Sequence, residues 1–349
     1  MRIPCEQFGY LALVFTLCAC GNSQDGSGVG GSSSNGASSN GTAGTIMLNV
    51  GGTTGFGGAT GSTGGNEHQD EVVSKLPAGF TATDLGGYQL GAEDTGTGMG
   101  MSMAGTGGMS NGNCGNILLG LSRDFKGADE QGGHPDFNAN IAGSDVTPNL
   151  VSETLGPDQK PVYTSQCEIG NPGGKMVCPY GAQTTSKANF DQWYRNTEGV
   201  NKSYLVSIWL QPQDNGLFTF QSLHYFPMDG AGFNGMAQAN DGKQHNFGFT
   251  TELHTQFLYQ GGERFNFQGD DDVWVFINHK LAVDLGGLHP MQLRNIDLDQ
   301  SAATLGIKTG VIYPLDLFHA ERHTDASTFR IDTNLSFVDC GTVIPDVPK

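Results

Sequence analysis

Basic side chains are scarce. The 349-residue chain sets 17 Lys and Arg against 35 Asp and Glu, a formal charge of −18, and residues of either sign make up only 15% of it. Phosphate backbones are repelled by so acidic a chain, which excludes nucleic acid as a partner. Long apolar runs are missing as well. None approaches the ~20 residues that span a bilayer as a helix, so a polytopic helical membrane protein is excluded. The signatures of common enzymes are absent: no Gly-x-Ser-x-Gly elbow, no His-Glu-x-x-His and no phosphate-cradling glycine loop after a strand. Glu252 and Glu263 are the one carboxylate pair to consider for glycoside hydrolysis, and nothing in their spacing marks them out. The chain reads as a non-enzyme.

Glycine is plentiful and unevenly spread. Of 54 glycines, 28 fall in Met1–Asn113, whereas Trp193, Trp209 and Trp274, the only tryptophans, all lie beyond it. Acidic residues outnumber basic ones 8 to 2 in that first part and 27 to 15 in the remainder. One core is therefore expected, from Cys114 to Cys340, behind a long leader. Residues 1–19 read as an export signal, with Arg2 ahead of the apolar stretch Phe8 to Ala19. Leu17-Cys18-Ala19-Cys20 resembles a bacterial lipobox, which predicts cleavage before Cys20 and a lipid on that cysteine; an ordinary secretory signal is the alternative. Gly21, in place of Asp, favours the outer membrane, on its periplasmic or its cell-surface face. Lipid on Cys20 would be the chain's one membrane attachment.

Residues 20–66, nearly all Gly, Ser, Thr and Asn, cannot bury enough surface to offset their ordering entropy. They are expected to form a disordered tether of roughly 35–40 Å root-mean-square reach. Residues 67–113 form a low-complexity linker, partly ordered, in which Val72–Leu90 is apolar enough to dock on the domain edge. Residues 341–349 form a tail. Four cysteines remain for the mature chain, an even set that suits disulfides in an exported protein. Cys167–Cys178 is the expected local pair, bracketing the turn material Gly170–Gly174, and Cys114–Cys340 would clamp the domain's ends. Four cysteines allow three connectivities, and a zinc site is the weaker competitor because no CxxC occurs.

From Ile117 onward the pattern is that of strands. Phe329, Ile331, Leu335 and Phe337 share one face while Arg330, Asp332, Asn334 and Ser336 share the other, a period of two. Tyr204–Leu210, Leu217–Phe226, Phe247–Leu258, Glu263–Phe267, Val273–Ile277, Leu281–Leu285 and Val311–Phe318 also read as strands, punctuated by Gly, Asn and Pro. Pro135–Asn140 and Lys187–Tyr194 are the helical candidates. Many short strands with aromatic interiors predict an all-β fold, an antiparallel β-sandwich or barrel.

The run Asp270-Asp271-Asp272-Val273-Trp274-Val275-Phe276-Ile277-Asn278, followed by Lys280–Gly287, resembles the signature of fibro-slime domains. These are similar to the protective-antigen-like β-sandwiches of bacterial toxins, glycosidases and yeast adhesins. Supporting segments are Arg123–Phe125, His134–Phe137, Lys160–Tyr163, Phe190–Tyr194, Tyr313–Phe318 and Ala320–Thr324. The resemblance covers Ile117–Phe337 and implies an exported, surface- or matrix-associated binding domain. In the related yeast adhesins a pair of aspartates joined by a cis peptide holds calcium, and the matching pair here is Asp270–Asp271.

On their own terms, three adjacent carboxylates repel one another and call for water or a cation. Strand neighbours point to opposite faces, so Asp270 and Asp271 converge only if the chain turns there. Calcium takes six to eight oxygens, so other groups must contribute. Asp272 either adds a ligand or faces solvent. Asp284, Glu321 and Asp325 are further metal-site candidates, direct or supporting. Strand alternation sets His319, Glu321 and His323 on one face, a pattern that also suits a transition metal. Trp274, His289 and His323 are candidates for ligand contact, although Trp274 shares a strand face with Phe276 and suits the core equally. None of the remaining histidines stands out. The function expected is a calcium-dependent module for binding an extracellular polysaccharide or glycan, or for adhesion. The alternatives are a structural matrix protein whose calcium only stabilises a loop, and a metal-dependent polysaccharide hydrolase.

Overall fold

Among the described residues the chain forms seventeen strands, and every pair between these strands is antiparallel. The computed structural model describes residues 85–94, 116–139, 141, 143–339 and 341. The expected signal, Cys20, the tether and the Cys114–Cys340 pair lie outside the described residues. In chain order the strands are β1 (Gly87–Asp94), β2 (Ile117–Phe125), the hairpin β3 (Cys167–Glu168) and β4 (Asn171–Pro172), β5 (Asn201–Trp209), β6 (Gln211–Pro212) and β7 (Phe218–Ser222). There follow the hairpin β8 (Met236–Gln238) and β9 (Gln244–Asn246), β10 (Phe249–Tyr259), β11 (Arg264–Gly269), β12 (Asp272–Ile277) and β13 (Lys280–Leu285). The last four are β14 (Gln292–Asp297), β15 (Val311–Glu321), β16 (Phe329–Thr333) and β17 (Ser336–Asp339).

Two sheets form the sandwich. The larger runs β1-β5-β2-β10-β15-β12-β13 with β17 also on β10, and the smaller runs β14-β11-β16-β7-β6. Phe257, Phe265, Phe267, Val275, Leu317 and Phe329 belong to the core between them. The other face of the larger sheet is covered by the long excursion between β2 and β5. There Phe137, Phe190 and Trp193 pack on Trp274, Phe276 and Phe318. Cys167 and Cys178 form a disulfide in this covering segment, which removes them from the zinc reading. Because the larger sheet is covered on both faces, all six residues of β12 are buried. That explains why Val273–Ile277 reads as a continuous apolar run instead of an alternating one.

Two local expectations differ from the structure. Pro135–Asn140 is not helical over its described residues, Pro135–Ala139, which form turns and bends. Here the segment serves packing: Phe137 stacks on Phe125 at 4.2 Å, and the Asp136 carboxylate accepts from Thr185 N and Trp193 Nε1 at 2.6 and 3.0 Å. The longer helix, Leu298–Leu305, was not anticipated. Its signals are local: Asp297 caps the N-terminus by accepting from Gln300 N, and Gly306 closes the C-terminus at φ 71°. The other helix among the described residues, Lys187–Phe190, lies inside the expected Lys187–Tyr194. From the linker, Gly87–Asp94 adds an edge strand by pairing with β5.

Candidate functional site

β11 belongs to the smaller sheet and β12 to the larger, so the chain crosses between sheets in the two residues Asp270 and Asp271. Asp271 adopts φ 51°, in the left-handed region that a short polar residue tolerates. The turn required for the two carboxylates to converge is present. Opposite β12 runs β15, with Asp272 paired to Ala320; one step further in that register sets Asp271 against Glu321. Three acidic side chains thus meet at the sandwich rim, with Asp270 9%, Asp271 6% and Glu321 1% exposed.

Backbone N–H groups hold part of this cluster. Asp270 Oδ1 accepts from Thr328 N at 2.7 Å, and Asp271 Oδ2 accepts from Arg322 N and His323 N at 2.9 and 3.1 Å. Glu321 Oε2 is buried without a hydrogen-bond partner. Electrostatics follow from the crowding. Burial, reinforced by Asp271, pushes the Asp270 carboxyl up to about 7. Asp271 is raised by burial and by Asp272, against the opposing pull of Arg322. Burial and the two aspartates drive Glu321 well above the usual carboxylate range. Crowded acids with an orphaned oxygen have the donor chemistry of a hard divalent cation site, but no three such donors among the described residues already surround one point, so an ion would have to draw them together.

The remaining sequence candidates are deployed differently. Asp272 neither faces solvent nor has a free oxygen. It is fully buried, with Oδ1 accepting from Gly287 N at 2.6 Å and Oδ2 paired to Arg322 Nε at 2.6 Å. Alternation is the cause: Asp272 enters the strand on the face covered by the excursion, where Arg322 also lies against the Trp193 ring at 4.6 Å. Gly287 is required beside it, because its φ is +90° and a Cβ there would stand 2.9 Å from Gln183 Oε1. Asp284 accepts from Asn149 N and Trp274 Nε1 at 2.7 and 3.1 Å, which ties it to the covering segment. Trp274 is fully buried and cannot wall an open ligand site.

His289 is near the cluster: its carbonyl accepts from Asp271 N at 3.3 Å, but its ring nitrogens face the carbonyls of Pro290 and Leu285. Asp325 and His323 are exposed on the loop after β15. His319 is buried among the Tyr225, Phe249 and Phe329 rings with neither nitrogen hydrogen-bonded, and burial lowers it to about 3. With one imidazole buried and the other in solvent, His319 and His323 do not converge on a transition metal.

Glu252 and Glu263 do not form a catalytic pair. Glu252 is 1% exposed and bonded to Arg123 Nη1 at 3.0 Å and Lys160 Nζ at 2.5 Å. Glu263 accepts from Gln260 N and Gly261 N beyond the far end of β10. The seven residue-to-residue steps from Glu252 to Tyr259 alone span about 23 Å of strand. A glycosidase pair needs about 5–9.5 Å. Sequence reasoning passed over Arg322 as a partner for the triplet; its place in Ala320–Thr324, directly after Glu321, was the available signal.

The acidic rim lies within a stretch, residues 232–348, that matches the family model described as PA14 domain, about a third of the chain. Three relatives in Dictyostelium discoideum align over more of it. Protein psiH is 39% identical over 215 residues, protein psiR 40% over 215 and protein psiD 36% over 205, each covering 58% of this chain. The chain spans 29%, 20% and 39% of the lengths of those three, well short of two thirds. Among solved structures, the PA14 domain of the MpAFP antifreeze protein aligns over 30% of this chain and 56% of its own, at 11% identity and a TM-score of 0.22. A β-glucosidase from Kluyveromyces marxianus aligns over 62% of this chain and 27% of its own, at 13% identity and a TM-score of 0.18.

Proposed function

We propose that the chain is an extracellular carbohydrate-binding or adhesion module of the fibro-slime type, dependent on calcium held by Asp270, Asp271 and Glu321. The observation that carries this reading is the buried acidic cluster at the rim, with Glu321 Oε2 left without a partner. A bound calcium ion would supply positive charge to ionised carboxylates and open coordination positions for sugar hydroxyls. The chain's own contribution is to hold Asp270 and Asp271 by the N–H groups of Thr328, Arg322 and His323. The PA14 match over the same residues supports a binding role, and we extend it to an outer-membrane lipoprotein anchored through Cys20. A tethered display adds avidity to a modest single-site affinity.

A second reading has its own support. The three carboxyls are at most 9% exposed, which suits an ion that only stiffens the crossing between sheets. Calorimetry with calcium, on wild type and on Asp270→Asn/Asp271→Asn, tests the ion, and a glycan array with and without chelator tests the ligand. Chelator-sensitive glycan binding lost in the double variant supports the adhesion reading. Calcium binding with no glycan signal leaves the structural reading, and equal calcium affinity in both proteins removes the site. Metabolic labelling with a fatty acid, lost in Cys20→Ala, tests the anchor.

A further inference from the structure

A second polar cluster lies apart from the acidic rim, where the hairpin β8–β9 folds against the segment after β7. Asp241, in the turn between β8 and β9, commits Oδ1 to its own turn by accepting from Lys243 N at 2.9 Å. Its Oδ2 is thereby directed at two imidazoles, 3.3 Å from His245 Nε2 and 3.8 Å from His224 Nδ1. His245 is fixed from two other sides. Its Nδ1 contacts Asp229 Oδ2 at 2.6 Å, and its ring stacks on Phe226 at 4.0 Å with planes 7° apart. His245 is 7% exposed, but His224 and Asp241 are 19% and 16% exposed, so the cluster is reachable from solvent.

We propose that His224, His245 and Asp241 bind a zinc-class transition metal, with Asp229 orienting His245 from behind. Ligands about 2.0–2.1 Å from a tetrahedral ion stand about 3.3 Å from one another, the separation already present between Asp241 Oδ2 and His245 Nε2. A carboxylate on the far nitrogen of a ligating histidine fixes its tautomer and ring direction, which is the position Asp229 holds. Two imidazoles with one carboxylate select zinc and its late first-row neighbours over calcium or magnesium. The cluster is open as it stands: the two imidazole centroids are 6.5 Å apart, and no three such donors among the described residues already surround one point. Closure requires His224, the more exposed of the two rings, to swing toward Asp241. The Lys243 ammonium, 3.8 Å from Asp241 Oδ2, would be displaced outward.

Two nitrogens and one oxygen leave a fourth position for water. The ion would staple the hairpin to the segment carrying His224. Asn240 of this hairpin also donates to the Asp325 carbonyl, so the staple would brace the loop after β15. This proposal does not depend on calcium binding at the rim.

The test is calorimetric titration of the full chain with zinc chloride, joined to the visible spectrum of the cobalt-substituted protein. Wild type is expected to bind one zinc ion and to show the absorption bands of tetrahedral cobalt. His224→Asn and His245→Asn should each weaken zinc at least tenfold, and Asp229→Asn by roughly 10–100-fold, the usual effect of removing such a supporting carboxylate. Asp270→Asn/Asp271→Asn should keep the zinc affinity of wild type, and excess calcium should not displace the cobalt. Absence of the cobalt bands overturns the proposal. Bands indifferent to both histidine substitutions overturn it too, because the ion is then bound elsewhere in the chain.

Discussion

Two buried glutamates on neighbouring strands, Glu252 of β10 and Glu321 of β15, are each 1% exposed and meet opposite fates. Glu252 faces the covering excursion. Burial opposes its charge, yet Arg123 and Lys160 hold it well below the usual carboxylate range. Glu321 turns to the other side, toward Asp270 and Asp271, and is driven well above it. The same contrast divides two adjacent residues, since Asp272 is paired with Arg322 while Asp271 has Glu321 for a neighbour. All four side chains are buried. What differs is whether a cation of the chain's own arrives on that face. Where one does, the acid is part of the architecture; where none does, burial and repulsion favour the neutral carboxyl.

The largest effect belongs to the paired side. Replacing Arg322 by Ala leaves Asp272 buried without its counter-charge and removes the contact with Trp193. The expected loss is about 3–5 kcal/mol in denaturant unfolding. A loss below about 1 kcal/mol would mean that the pairing is incidental and the comparison fails.

The unpaired side should respond with the opposite sign. Glu321→Gln fixes the neutral form that burial and the two aspartates already favour, so the calcium-free protein should gain stability. The same change should abolish stabilisation by calcium, which for wild type is about 2.7 kcal/mol at a hundredfold excess over Kd. Thermal unfolding of both proteins with calcium and with chelator gives all four values. A variant less stable than wild type in chelator would show that Glu321 is a satisfied structural acid.

A smaller effect appears in pH. The Asp270 carboxyl, near 7 when folded, lies above its ordinary 3.8. As pH falls through 7 the folded chain takes up a proton that the unfolded chain does not, so stability of the calcium-free protein rises from pH 8 to 6. The gain is about 1.4 kcal/mol per pH unit below 7. Asp124, raised to about 6 chiefly by burial, acts in the same direction. His319, lowered to about 3, contributes stability that is lost as pH falls below 6.5 and flattens the gain. Saturating calcium, which needs ionised carboxylates, should reverse the trend between pH 8 and 6. Unfolding midpoints across that range, with and without calcium, sharpen the comparison; an unchanged trend on adding calcium would separate Asp270 from any ion.

Much of the fold was legible because strand periodicity is local. The alternation over Phe329–Phe337 and the apolar run at Val273–Ile277 identify strands without reference to any partner. The Leu298–Leu305 helix, with its Asp297 cap and Gly306 stop, was legible in principle and missed among so many strands. At the crossing between the sheets, one-dimensional adjacency misrepresents the carboxylate triplet. Asp270, Asp271 and Asp272 look equivalent in sequence, and strand geometry sends the third to the other face. His224, His245, Asp229 and Asp241 are spread over 22 positions with no motif spacing, and only the folding of the hairpin onto its neighbour gathers them.

The sequence by itself determined the all-β class and the acidic and glycine-rich partition of the chain, and it favoured the Cys167–Cys178 pair that the structure shows. These follow from side-chain period, composition and separations along the chain. Tertiary structure alone decided which acids are neutralised, because Arg322 reaches Asp272 and Lys160 reaches Glu252 from segments 50 and 92 residues away. Charge pairing inside a protein depends on distances of a few ångströms, and those are set by which face of a sheet each side chain enters and by what covers that face.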